Sequence, residues 1–393
     1  MPGQFDTDVT ITVEVAFGSA PFDTTPTWTD VTGDVRRFKT QRGRSNAVSR
    51  VGPGKATIWL DNSSGAYDPS NAAGAYSPDV DIMTPVRISA DYTVPSSFKL
   101  DTAGRGLGSP LQVDTAPLFT GFVESWPQQY VDGVDPVVPM RATDAIKLFN
   151  ALETDGTPLG PANIRQAHKD VLVGAGWPAA WVDGYVSEWD TQAFTPGGAV
   201  LRTLRRLEDT DGGMFFIEAD GDSMFHNRTY RSGLSSTVTF GDSSTELPYT
   251  LDFDMEYDDT QLWNQVEVTR RGGTKQTSNS TASIDSYTKH VLPRSDTLHN
   301  TDADALTMGA GLVATYKDPH LRLDDIRFKP RRSPALAWPV ALTYDLSQNV
   351  TVKRRPASGN VISLNEYVEG ITHDVTVGKS WECTFIMSQY AGT

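Results

Sequence analysis

Residues 60–71, LDNSSGAYDPSN, bring two aspartates, two asparagines, three serines and a glycine into one short stretch. Oxygen-rich loops of this kind hold calcium when the ligands fall in register. An EF-hand counted from Asp61 would need oxygen ligands at its third and fifth positions, glycine at the sixth and glutamate at the twelfth. Here the fifth, sixth and twelfth positions are Gly65, Ala66 and Ala72. The residues instead suit a strand end and turn. Asp61 and Asn62 can start Asx turns, Gly65 can take a positive φ, and Asp68-Pro69 keeps the chain from re-entering a strand.

The other reactive side chains are scattered. His168, His226, His290, His299, His320 and His373 show no close metal-ligand spacing. His373 stands near the single cysteine, Cys383, so a Cys–His pair competes with a plain core histidine. Gly221-Asp222-Ser223 and Gly241-Asp242-Ser243 share the GDS opening of one esterase class, but both fall at expected hairpin turns. No GxSxG elbow occurs. Gly104-Arg105-Gly106-Leu107-Gly108 neither follows a strand nor opens a helix, as a dinucleotide loop must. Glu124, Glu188, Asp190 and Glu369 are nominees for a glycosidase pair, whose separation sequence does not give. Trp177, Trp181 and Trp189 suit either a sugar-stacking platform or core packing. No catalytic constellation, cofactor site or metal site emerges, and a non-enzymatic role is expected.

Cations are concentrated where chemistry is not. Between Asp34 and Lys55 stand Arg36, Arg37, Lys39, Arg42, Arg44, Arg50 and Lys55, with Asp34 the one acid. Smaller clusters are Arg327, Lys329, Arg331 and Arg332, then Lys353, Arg354 and Arg355. The chain as a whole carries 49 acidic against 34 basic residues, a net −15. That balance excludes a general nucleic-acid binder, which needs excess Lys and Arg. Basic patches in an acidic protein suit contacts with an acidic neighbour as well as a solvated face. One cysteine excludes an internal disulfide. The opening residues lack a basic and apolar leader, and no apolar run approaches the roughly 20 residues of a membrane span.

The elements that must position these residues read mainly as β, in a chain of 393 residues with 33 glycines and 24 prolines. Residues 1–146 show alternating strands at Thr10–Phe17, Lys55–Leu60 and Val86–Ala90 and an apolar one at Leu118–Trp126. Residues 147–248 are mixed α/β. Just before them Thr143-Asp144 caps a helix bearing Ala145, Ile146, Leu148, Phe149 and Leu152; further helices span Ala162–Gly174 and Gly198–Leu207, and a hairpin turns at Asp220-Gly221. Residues 249–393 return to β, with a strand at Gln265–Arg270, a polar loop over Arg271–Ser280 and a helix at 303–316. Later strands are Asn349–Val352, Tyr367–Val377 and Trp381–Ser388. LFTGFVE (118–124) and YVEGITH (367–373) echo one another, each placing a glycine in an apolar strand before a tryptophan.

In series, WTDVTGDVRRFKTQRGR (28–44), ATIWLDNSSGAYDPSN (56–71), TPVRISA (84–90) and LFTGFVESW (118–126) resemble the N-terminal domain of minor tail proteins of long-tailed bacteriophages, especially those of actinobacteria. RATDAIKLFNAL (141–152), GGAVLRTLRRLEDTDGGMFFIEADGDSMFHNR (197–228) and YVEGITHDVTVGKSWECTFIMS (367–388) extend the resemblance toward tail hub proteins. It implies two tail-tube-like β-barrel or sandwich domains flanking the α/β insertion. It also implies a homotrimeric, pseudo-sixfold hub in the virion tail tip, assembled in the host cytoplasm. The implied partners are the distal tail protein, the tape-measure protein and other tip or fibre proteins, with DNA only in transit. A distal ring or receptor-binding tail protein, and a cell-wall or glycan hydrolase, are the alternatives. Arg36, Arg37, Arg42 and Arg44 are then expected at a subunit or ring contact, and Asp61, Asn62, Gly65, Asp68 and Pro69 form a structural turn.

Overall fold

A computed structural model describes residues 9–94, 112–129, 136–250 and 255–389. The glycine-rich run at 104–108 lies outside them. The first strands are β1 (Val9–Val15), β2 (Thr29–Asp30), β3 (Val35–Gly43), β4 (Lys55–Asp61), β5 (Pro85–Val94), β6 (Gln112–Ser125) and β7 (Val137–Thr143). They pair antiparallel in the order β3-β4-β7-β6-β5-β1-β2. Alternation sets the faces: Val9, Ile11, Val13 and Val15 turn inward from β1, and Ala56, Ile58 and Leu60 from β4.

The middle segment carries α1 (Ala145–Ala151), α2 (Ile164–Gly174), β8 (Val182–Gly184), α3 (Val200–Asp211), β9 (Met214–Ile217), β10 (Ser223–His226) and β11 (Thr239–Phe240). Asp144 caps α1 as its sequence suggests, accepting from Ile146 N–H at 2.9 Å and also from Gly54 N–H at 2.7 Å. Gly212, at φ 74°, closes α3 in the left-handed conformation that favours glycine.

Next come β12 (Met255–Tyr257), β13 (Gln265–Arg270), β14 (Lys275–Asn279), α4 (Thr281–Tyr287), β15 (Val291–Thr297), α5 (Asp302–Tyr316), β16 (Leu321–Leu323), β17 (Asp325–Phe328), α6 (Pro334–Thr343), β18 (Asn349–Arg354), β19 (Ile362–Thr376) and β20 (Ser380–Gln389). Part of the expected loop at Arg271–Ser280 is thus the strand β14. Its KQTSN sequence has no apolar face because it is an edge strand, paired only to β13. The helix α6, PALAWPVALT, had no sequence signal of its own. Pro334 opens it, where no N–H is needed, but Pro339 sits inside it.

The two β-rich ends share one sheet. β20 pairs with β19 along one edge, while β19 divides its other edge between β18 (through residues 362–367) and β3 (through 370–376). The division falls at a bulge between Val368 and Gly370. One hydrophobic core reaches from Val9 to Met387 and includes the middle segment. Trp381 packs edge-on to Phe38 at 6.0 Å and to Trp338 of α6 at 4.9 Å, tying the first segment to the last. A smaller core lies between α5 and the β13–β15 sheet. Among the described residues no helix is long and apolar enough to cross a membrane.

Candidate assembly interface

The basic strand β3 is built by alternation, with one irregularity. A bulge between Val35 and Arg37 adds Arg36 to the solvent side, where it pairs with Asp61 at 2.6 Å. Arg37 forks onto Asp374 of β19 at 3.0 and 2.8 Å and lies 4.9 Å from the Trp59 ring. Arg42 and Arg44 turn the other way. Arg42, 7% exposed, pairs with Asp345 at 3.0 Å and donates to Ile217 O at 3.3 Å. Arg44 reaches Glu369 at 2.7 Å and Ser49 O at 3.1 Å. Arg42 and Arg44 are thus buried with their charges met inside the chain, while Arg36 and Arg37, though ion-paired, keep part of their side chains at the surface.

The outer face of the same sheet carries cations that sequence order hides. Lys39 of β3 stands opposite Thr57 of β4, and Thr57 opposite Arg141 of β7. Lys55 is two residues along β4 from Thr57. Lys39, Lys55 and Arg141 are exposed and form no ion pair among the described residues. Adjacent strands lie about 4.8 Å apart, so Lys39 and Arg141 are about 10 Å from each other. With Arg36 and Arg37 beside them, they make a compact basic patch on a chain of net −15. Arg141 escaped the sequence reading because it lies 102 residues from Lys39, and only the register unites them. The Arg355 cluster differs: Arg355 is held by Asp242 and Glu246, each at 2.6 Å.

Behind the patch, at the split edge of β19, lies Glu369. Its carboxylate is fully buried and takes Arg231 at 2.5 and 2.8 Å, Arg44 at 2.7 Å and the Ser388 hydroxyl. Burial alone would raise its pKa, yet Arg231 and Arg44 together hold it far below the usual carboxylate range. Gly43 makes the close approach possible. It sits at φ 101°, and a Cβ there would lie 2.2 Å from the Glu369 carbonyl oxygen. The echoed strand β6 does likewise: a Cβ on Gly121 would lie 2.3 Å from Thr143 O, and β6 also bulges just beyond, between Val123 and Ser125.

The 60–71 turn is a chain of local hydrogen bonds. Asp61 accepts from Ser63 N–H at 2.9 Å, and Arg36 with Ser63 brings its pKa down to about 2. Asn62 is buried; its Oδ1 accepts from Tyr67 N–H at 2.9 Å, and its amide donates to Gln128 at 3.0 Å. Gly65 has φ 71°, and its carbonyl accepts from Asn71 at 2.9 Å. Asp68 accepts from Ser70 N–H at 2.8 Å, and Pro69 follows it. Tyr67, at the centre, donates to Asp34 at 2.6 Å. The turn thus fastens β4 to the segment before β3.

The remaining nominees each have local partners. Glu124 meets Lys147, Glu188 meets Arg228 at 2.6 Å, and Asp190 lies by Asn163. His373 and Cys383 do face each other across β19 and β20, at 3.4 Å, with Trp381 N–H donating to the same nitrogen at 3.2 Å. Burial pulls the imidazole down to about 3 and pushes the thiol up, so the pair is neutral and enclosed. Ser223 of the first GDS triplet bonds His168 at 2.9 Å, with both residues buried. Neither hydroxyl nor thiol opens on a cleft. Trp177 is core, packed on Phe149 at 4.9 Å and Trp181 at 5.3 Å. Trp189 packs beside His299.

The sequence matches no family model and no curated protein. Among solved structures, the chain is similar to a tail protein from Neisseria meningitidis MC58, with TM-score 0.60 and 12% identity over 97% of this chain and 96% of that one. It is similar to the 43 kDa tail protein of prophage MuSo2 from Shewanella oneidensis, with TM-score 0.57 and 10% identity over 96% and 97%. A prophage tail protein, gp18, from Listeria monocytogenes EGD-e gives 0.52 and 11% over 97% and 94%. From end to end, the chain has the fold of these phage tail proteins.

Proposed function

We propose that this chain is a non-enzymatic structural protein of a phage tail, serving as the hub of the tail tip. The observation that carries the reading is a fold shared with tail proteins over nearly the full length of both chains. In this reading residues 1–146 and 249–393 are two tube-like modules, and 147–248 is an insertion between them. Three copies then close a pseudo-sixfold ring that continues the tail tube and receives the distal tail protein, the tape-measure protein and fibre or tip proteins. The acidic balance suits a conduit that DNA crosses without sticking, because like charges repel the phosphates.

The basic patch of Lys39, Lys55 and Arg141, flanked by Arg36 and Arg37, is the surface through which one subunit or ring meets an acidic neighbour. The triple variant Lys39→Glu, Lys55→Glu, Arg141→Glu removes no ion pair among the described residues, so it should fold with an unchanged circular-dichroism spectrum and melting temperature. Its assembly, read by native mass and end-on particle images, should fall from threefold rings to monomers. Wild-type protein that forms sixfold rings of one lobe per chain would instead indicate a distal ring. Unchanged assembly of the variant would remove the patch from the interface.

A further inference from the structure

A groove of about 190 Å³ opens where the 17–28 loop, β5, β6 and the tip of the β9–β10 hairpin meet. Its walls are apolar and rigid: Pro21, Pro26, Pro85, Trp28, Trp177 and Trp181. Phe22 stacks edge-on behind Trp177 at 5.5 Å, and Trp177 donates its indole N–H to Trp181 O at 3.3 Å, so the aromatic wall is fixed before any ligand arrives. The polar groups at the rim are Asp23, Asp220 and Asp222, with Arg87 and Thr120.

The charges do not balance. Among the described residues Arg87 is the one cation of the lining, and its charge is already met by Glu14 at 2.6 Å. Its guanidinium lies 4.3 Å over the Trp28 ring, which shows the wall stacking a planar cation. Asp222 has no ion-pair partner among the described residues. Burial, with Asp220 and Asp183 nearby, lifts its pKa to about 6. Glu218, at the start of the same hairpin turn, is lifted to about 8 by burial, with Asp345, Asp220 and Asp222 adding to it. The hairpin tip therefore crowds acids beside aromatic faces, and among the described residues neither Asp220 nor Asp222 has an ion-pair partner.

We propose that this groove takes the side chain of an arginine or lysine presented on a basic segment of a partner protein. The aliphatic stem would lie along the prolines and indoles, and the charged head would meet Asp220 and Asp222. The volume is smaller than the roughly 300–1,000 Å³ of ordinary ligand pockets, which fits one side chain better than a multi-ring ligand. A neutral saccharide would use the aromatic wall but gain nothing from the excess of negative charge. The inference does not depend on ring assembly, and its test is independent of oligomeric state.

The test is a titration of the full chain, followed by tryptophan fluorescence and calorimetry. The probes are an acetylated, amidated pentapeptide with a central arginine, the same peptide with citrulline in its place, and chitotriose. The arginine peptide should bind at least about tenfold more tightly than the citrulline peptide, and added salt should weaken it. Asp220→Asn with Asp222→Asn should remove that preference while leaving the melting temperature equal or higher, because the two acids repel. Trp181→Leu should weaken the arginine peptide with the rim acids intact. Equal binding of the two peptides, no binding of either, or a preference for chitotriose would each overturn the proposal.

Discussion

Glu369 is the residue on which the shared sheet turns. Two arginines from distant segments, Arg44 and Arg231, meet it where solvent barely reaches, so removing its charge leaves two largely buried guanidiniums unanswered. Glu369→Gln should cost about 3–5 kcal/mol at neutral pH, measured by denaturant unfolding. The pH dependence has a definite sign. The folded-state pKa lies below the ordinary 4.5, so the stabilisation is complete above about pH 4.5 and is lost as pH falls below it. The gap between wild type and variant should therefore narrow on acidification and not on alkalinisation. None of this was legible in YVEGITH, where Glu369 stands out only as an acid among apolar neighbours. The inward turn comes from the bulge beside it, and bulges leave little trace in periodicity. The 60–71 turn was legible, because Asx and glycine turns are written in adjacent residues.

At the scale of elements, local signals decided which ones could be read. The helix expected at 303–316 runs Asp302–Tyr316 and starts with a capping box: Thr301 accepts from Asp304 N–H at 3.1 Å, and Asp304 accepts from Thr301 N–H at 3.0 Å. Thr301→Ala should destabilise by about 1 kcal/mol in urea unfolding, while Thr301→Ser should retain the stability. The strand β14 and the helix α6 were hidden for opposite reasons. β14 has a polar sequence held in place by one neighbour, and α6 has an apolar sequence punctuated by prolines. In both, tertiary context overrides the propensity of the residues. Of the three tryptophans left open between platform and packing, Trp177 is buried with one face on the groove, whereas Trp28 joined the aromatic wall only through the fold.

Across the whole molecule, an early strand and a late strand of the chain depend on each other. β3 and β19 are paired from Arg37–Thr376 to Gly43–Gly370, and Phe38 packs on Trp381. A fragment of residues 1–248 would leave this edge of β3 open, with Phe38 uncovered beside it. Such an edge is a template for pairing with another chain. The fragment should self-associate or precipitate where the full chain does not, as read by light scattering at matched concentration. Mainly-β class and the α/β middle were legible from composition, turns and alternation. The pairing of β3 with β19 was not, since nothing local connects residues so far apart.

That pairing also sets a clock. Arg37 and Asp374, which meet across it, are 337 residues apart in the chain. A ribosome adding about 5–20 residues per second needs roughly 20 s to a minute to cover that distance. For all of that interval β3 has emerged and its partner does not yet exist. The molecule can finish its beginning only after its end has been made.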